Sequence, residues 1–150
     1  MSKFFQALLT GVFFTFILDF FIFLGIKMNY IDRYEIDLYY NILFADNQCF
    51  ILYLIFSVLI GYIVIYFDSN KMSAIILGIL FSIAALTLIP PIGDSIGKLI
   101  FMKKNVTLID KKHTYRGDIY YEGREKITFY DYELQKMITL NKKRLKGKNK

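Results

Sequence analysis

The sequence predicts an α-helical membrane bundle of three transmembrane helices, followed by a small C-terminal β-meander or barrel-like domain. Hydrophobic residues make up 55% of the chain and are concentrated in long runs. After about residue 104 the pattern changes to short alternating runs, which are typical of strands. The charge changes near the same point, from 4 basic and 7 acidic residues up to Gly97 to 15 basic and 6 acidic residues beyond it. These observations divide the chain into a membrane region, residues 1–104, and a basic region after it.

Three apolar runs are predicted to span the membrane, at about residues 4–26, 49–67 and 72–89. A helix rises 1.5 Å per residue, so runs of this length approach or exceed the roughly 30 Å thickness of a hydrocarbon core. The short polar turn from Asp68 to Lys71 predicts an antiparallel hairpin of the second and third spans. Pro90 and Pro91 should end or kink the third span, because proline has no N–H to donate to the preceding turn.

Two further segments are predicted to lie at the membrane surface. In residues 29–48, apolar and aromatic side chains recur at steps of three and four, which indicates an amphipathic helix. The alternative for this segment is a polar connection with a single helical turn. Residues 92–102 are too short to span a bilayer, and we expect an interfacial helix in which Asp94 precedes Lys98 by one turn.

The region from residue 105 to 141 is predicted to be a small β-rich domain. β-branched and aromatic residues form four short runs, separated by turn-forming stretches, at 106–109, 118–121, 127–130 and 137–140. This pattern predicts a meander of three or four strands. Residues 142–150 are polar and basic, and we expect them to be a disordered tail.

Asp19 is an acidic residue inside the first predicted span, about four residues from its centre. A carboxylate at the bilayer centre costs about 2.5–3.5 kcal/mol on insertion scales, so such residues usually face other helices or a polar cavity. We favour a packing role, in which Asp19 bonds to a hydroxyl of Ser57, Tyr62 or Thr87. The alternative is a proton or cation site.

Small residues recur at four-residue steps in each predicted span. This spacing lets helix backbones approach closely, and packing within the chain is favoured over contacts between copies. The residues are Ala7, Gly11 and Thr15 in the first span, Ser57 and Gly61 in the second, and Ala74, Gly78 and Ser82 in the third.

No motif for catalysis is present in the sequence. His113 is the only histidine and Cys49 is the only cysteine, and neither has the neighbours of a metal site. The glycines form neither a phosphate-binding loop nor a dinucleotide fingerprint. We therefore expect no cofactor, no metal and no enzymatic activity.

Basic residues cluster just beyond the last predicted span. Each lysine near an anionic leaflet contributes about 1 kcal/mol of attraction, so we expect lipid headgroups to be bound by Lys98, Lys103, Lys104, Lys111 and Lys112. Aromatic residues of the predicted strands could instead stack on nucleic-acid bases, but the strands need them for a core. The membrane is therefore the favoured partner.

Basic residues in short loops also predict the orientation of the chain. One side of the membrane would hold only Lys3 and Lys71, whereas the other would hold Lys27, Arg33, Lys98, Lys103 and Lys104. Because loops rich in lysine and arginine stay inside the cell, the tail is predicted to be cytoplasmic.

The sequence thus predicts a small multi-pass protein of the cytoplasmic (inner) membrane. We expect a non-enzymatic anchor or accessory subunit, which presents its basic β-rich tail to a membrane-protein partner or to a second copy of the chain. The alternative function is that of a transport or channel component that uses Asp19.

Overall fold

The computed structural model of the chain describes residues 2–110 and 113–149. They separate into two compact units, Met1–Asp94 and Ser95–Lys150. The helical elements are α1 (Lys3–Ile26), a π-helical turn (Lys27–Ile31), α2 (Tyr40–Asn47), α3 (Phe50–Tyr66), α4 (Asn70–Leu86) and α5 (Pro90–Phe101). The strands are β1 (Lys103–Asp110), β2 (Thr114–Glu122), β3 (Lys126–Asp131), β4 (Lys136–Asn141) and β5 (Leu145–Asn149).

One of the described helices is long and apolar enough to cross a membrane by itself. It comprises α1 and the π-helical turn, Lys3–Ile31, and is 29 residues long. Two helix pairs pass the same test only when each is counted as one bent span. These pairs are α2 with α3, bent by 86°, and α4 with α5, bent by 84°. The described residues therefore contain one to three candidate membrane spans.

The bend between α4 and α5 follows from the two prolines. In a continuous helix the carbonyls of Leu86 and Thr87 would accept from residues 90 and 91, which as prolines have no N–H. α4 accordingly ends at Leu86, and Pro90 begins α5, where the first turn requires no donor. The prediction that Pro90 and Pro91 end the third apolar run is confirmed.

The predicted hairpin of the second and third apolar runs is formed by α3 and α4. α4 begins after Ser69, whose Oγ accepts from the backbone N–H of Met72 at 3.4 Å. Ser73 Oγ donates to the carbonyl of Ile63 at 2.8 Å and joins the two helices near the turn.

The prediction of one amphipathic helix over residues 29–48 is wrong for the first part of that segment. Only α2, its second part, is a regular α-helix. The chain before α2 turns away because Glu35 has a φ of 53°, which no right-handed helix tolerates. The apolar side chains of the first part are instead buried against the helices, with Tyr30, Ile31 and Ile36 at most 5% exposed. The apolar residues of this part are therefore needed for tertiary burial and do not form a membrane-facing stripe.

The core of the helical unit lies where α1 packs against α3 and α4. Its buried centre is formed by Leu18, Ile60 and Ala84. Phe81 of α4 packs edge-on against two rings of α1, with centroids 6.1 Å from Phe14 and 6.5 Å from Phe21.

The second unit contains an antiparallel sheet with the strand order β4-β3-β2-β1-β5. β1 to β4 follow one another as a meander, and each contains one of the four predicted runs. The buried core is Val106, Leu108, Ile119, Ile127 and Phe129. The described strands form an open sheet with β4 and β5 at its edges, so the barrel-like alternative is not adopted.

Regular structure extends beyond residue 141, where the sequence analysis expects a disordered tail. Lys142–Arg144 form a 3-10 turn, and β5 then pairs with β1 on the side opposite β2. Within the meander of β1 to β4, β1 is an edge strand. The backbone N–H and C=O groups on its outer side are therefore available to pair with β5.

A small polar cluster fixes an irregularity in β1. Asn105 has a φ of 55°, and the β1–β2 register shifts between Lys103 and Val106. Asp118 accepts from the Asn105 N–H at 2.9 Å and from the Tyr132 hydroxyl at 2.5 Å. The hydrogen bond to this carboxylate raises the pKa of Tyr132.

Candidate functional site

Asp19 of α1 is hydrogen-bonded to the break between α2 and α3. Gln48 lies in that break, and its Nε2 donates to Asp19 Oδ2 at 2.9 Å. A hydroxyl of Ser57, Tyr62 or Thr87 was predicted as the partner, but the observed partner is the Gln48 amide. Ser57 Oγ and Thr87 Oγ1 donate instead to the backbone carbonyls of Tyr53 and Ala84, at 2.8 and 2.7 Å. The hydrogen bond joins two segments that lie 29 residues apart in sequence.

Two tyrosine side chains flank this pair. Tyr40 of α2 donates to the carbonyl of Phe20 at 3.2 Å, and Tyr53 of α3 donates to the carbonyl of Val12 at 3.0 Å. The Tyr40 ring also packs edge-on against that of Phe20, with centroids 5.4 Å apart. The Asp19 carboxylate is half-buried within this group. The Asp19 cluster is therefore formed by Asp19, Gln48, Tyr40 and Tyr53.

The cluster lies towards one end of the paired helices α1 and α3. Gln48 precedes the first residue of α3, Phe50, so Asp19 lies level with the end of α3 and not with its middle. At 1.5 Å per residue, Asp19 is roughly 12 Å along α1 from Gly11, where α1 and α3 are in closest contact. The depth of Asp19 in a membrane stays a prediction.

The α1–α3 contact brings together small residues of the first two predicted spans. A Cβ on Gly11 would lie 1.7 Å from the carbonyl oxygen of Ser57, and one on Gly61 would lie 2.0 Å from that of Ala7. Thr15 is also buried here, and its Oγ1 has no hydrogen-bond partner among the described residues. The close approach that the spacing predicts is present between α1 and α3.

The small residues of α4 are placed differently. Ala74, Gly78 and Ser82 are exposed, and no described atom lies within 4 Å of a Cβ built on Gly78. The buried residues of α4 are instead Ser73 and Ala84. Within the described chain, the expectation that the α4 small residues pack internally is therefore wrong.

A second buried polar group lies at the junction of α4 and α5. This contact was not predicted from the sequence. Asn29 Nδ2 donates to the carbonyl of Thr87 at 3.0 Å. This carbonyl is one of the two that the prolines leave without a helical donor, so a side chain of the π-helical turn replaces the missing N–H. Gly25 and Gly93 permit this approach, since a Cβ on either would lie within 2.4 Å of a Thr87 oxygen.

Lys103, one of the predicted lipid-binding lysines, forms an ion pair within the sheet unit. Lys103 Nζ binds Glu122 Oε2 at 2.8 Å. Lys104 is exposed, and Lys98 is partly exposed near the end of α5. Lys111 and Lys112 lie outside the described residues. Lipid binding by these lysines stays a prediction.

The structure also bears on metal binding and catalysis. Within residues 2–110 and 113–149, no three His, Cys, Asp or Glu side chains are grouped as a metal site would require. His113 and Cys49 are both exposed. The Asp19 cluster and the α4–α5 junction are thus the two candidate functional sites of the helical unit. Comparison of the chain with protein-family models, with curated proteins and with solved structures gives no match.

Proposed function

We propose that the protein is a small multi-pass membrane anchor or accessory subunit, which presents a basic β-sheet unit at the membrane surface. The observation that carries the proposal is the apolar exterior of the helical unit. Large apolar side chains are exposed along α1, α3 and α4, among them Phe13 at 58%, Ile51 at 69% and Ile83 at 58%. Apolar surface on this scale is unfavourable in water and favourable against lipid chains.

The lengths of the helices support three spans. α3 and α4 each have 17 residues, which corresponds to about 26 Å, close to the hydrocarbon thickness of a bilayer. In this arrangement α2 and α5, turned by 86° and 84° from their neighbours, lie along the membrane surface. Leu99, which is 85% exposed, would then insert among the lipid headgroups and chains.

The anchor proposal is tested first by extraction. Membranes that contain the full-length chain are washed with alkaline carbonate, and the protein should remain in the pellet because its apolar helices are inserted. Release into the supernatant would contradict membrane insertion.

The accessory role is tested separately, by purification of partners in mild detergent. Full-length protein is compared with a chain ending at Met102, which keeps α1 to α5 and lacks the sheet. We expect at least one membrane protein to co-purify only with the full-length chain. Identical sets of co-purified proteins would contradict the proposal that the sheet binds a partner.

The orientation of the chain gives a separate prediction. A reporter fused after Lys150 should be cytoplasmic, and one inserted at Ser69 should be external. The physical reason is the work of moving a lysine outward against the membrane potential, roughly 2.3 kcal/mol per charge per 100 mV. Replacing Lys98, Lys103 and Lys104 with glutamine should weaken this preference, whereas Lys71→Gln should not. Activity of an alkaline phosphatase fused after Lys150 would place the tail outside the cytoplasm and would contradict the predicted orientation.

A second candidate function is transport of protons or cations through the Asp19 cluster. The observation in its favour is that the carboxylate is bonded at a break between two helices, since broken helices form ion sites in many transporters. Asp19→Asn keeps the size of the side chain and cannot ionise, so it should abolish flux in proteoliposomes. Asp46→Asn on the exposed side of α2 is the matched control. Absence of flux in the parent protein, or equal flux in both variants, would exclude this candidate.

A further inference from the structure

An apolar groove lies beside the contact between α1 and α3. It encloses about 250 Å³ and is lined by Phe4, Ala7, Leu8, Val58, Tyr62 and Tyr66. Tyr62 and Tyr66 stack with their ring centroids 5.4 Å apart and form one wall. Gly61 brings the α3 backbone against Ala7, which is one of the lining residues. α1 and α3 are therefore held at a separation that leaves an open groove between their side chains.

The groove is at the end of α1 that carries positive charge. Lys3 is one helical turn before Ala7, so both residues lie on the same face of α1. The N–H groups of the first turn add the positive end of the helix dipole, with Ser2 as the capping residue. An apolar slot with a positive mouth matches a molecule that has a hydrocarbon chain attached to an anionic group.

We infer that this groove binds one acyl chain of a membrane phospholipid, whose phosphate is held by Lys3. The inference rests on the proposed membrane insertion of α1 and α3. The exposed ring of Tyr66, at the end of α3, suits the boundary between headgroups and chains.

The full-length protein is reconstituted into vesicles of phosphatidylethanolamine and phosphatidylglycerol that contain a phospholipid with a photoreactive acyl chain. After irradiation, mass spectrometry locates the labelled residues. We expect labelling to be concentrated at the lining residues of α1 and α3. Equal labelling along α1, α3 and the exposed face of α4 would show only general contact with lipid and would overturn the inference.

Three variants test the inference more directly. Val58→Trp fills the groove and should remove most of its labelling, whereas Ile75→Trp, at a similarly exposed β-branched residue of α4, should leave it unchanged. Lys3→Gln should reduce labelling by the phospholipid. Equal labelling of Val58→Trp and Ile75→Trp would contradict binding of the acyl chain in the groove. Equal labelling of Lys3→Gln and the parent protein would contradict binding of the phosphate by Lys3.

Carbonate extraction of each protein separates the possible failures. A chain that is released from the membrane contradicts the proposed anchor. A chain that stays inserted but is labelled evenly contradicts only the groove. If Val58→Trp is released, the labelling pattern of the parent protein still decides the question.

Discussion

Gly11→Val should prevent α1 and α3 from packing and should strongly destabilise the helical unit. Its Cβ would lie 1.7 Å from the Ser57 carbonyl oxygen and 2.9 Å from the Gly61 nitrogen. Both are backbone atoms and cannot rotate away, so the helices must separate. Overpacking usually costs about 1–3 kcal/mol, and we expect the upper end or more because a whole helix must shift.

The measurement is unfolding of the helical unit in mixed micelles with increasing dodecyl sulfate. Gly78→Val is the matched control, because it makes the same change in a helix where no described atom lies within 4 Å of the new Cβ. It should shift the transition little. Gly61→Val should behave like Gly11→Val, since its Cβ would lie 2.0 Å from the Ala7 carbonyl oxygen. Equal stability of Gly11→Val and Gly78→Val would contradict the close contact.

The contrast between Gly11 and Gly78 also shows what residue spacing alone can predict. Small residues four apart occur on α1, α3 and α4, and the pattern indicates that each helix has a face that another backbone can approach. The structure uses this face on α1 and α3 and leaves Gly78 of α4 exposed. The choice depends on the direction in which α4 leaves its hairpin, and residue spacing within a helix carries no information on that direction.

The strands were predictable because their signal is local. Alternation of apolar and polar residues over a few positions places each run in β1, β2, β3 or β4. Whether the sheet closes depends on pairing between its edges, which local alternation does not determine. The segment before α2 gave a false helical signal, because Tyr30 and Tyr34 have helical spacing although Tyr30 is fully buried by tertiary contacts.

The polar partners of the helices were not predictable in the same way. Gln48 reaches Asp19 across 29 residues, and Asn29 reaches Thr87 across 58. The prolines did provide a signal for the second pair, since they leave the Leu86 and Thr87 carbonyls without helical donors. The nearest remaining N–H of the turn, that of Ile89, donates to the Leu86 carbonyl at 3.0 Å. The Thr87 carbonyl therefore requires a donor from elsewhere in the fold.

Asn29→Leu should consequently loosen the α4–α5 junction. The substitution keeps a side chain of similar size but removes the Nδ2 donor that lies 3.0 Å from the Thr87 carbonyl oxygen. Thr87 is 4% exposed, so water does not readily replace the lost donor. A buried acceptor left without a partner costs about 1–3 kcal/mol, and we expect the free energy of unfolding to fall by that amount.

The matched control is Asn41→Leu on the exposed side of α2, where the side chain accepts from the N–H of the next residue, Ile42, at 3.0 Å. This change should have little effect in the same dodecyl sulfate titration. Limited proteolysis adds a local measurement, because a loosened junction should be cut faster between α4 and α5 in Asn29→Leu than in Asn41→Leu. If both variants unfold and are cut like the parent protein, another donor satisfies the Thr87 carbonyl, and Asn29 does not hold the bend that separates α4 from α5.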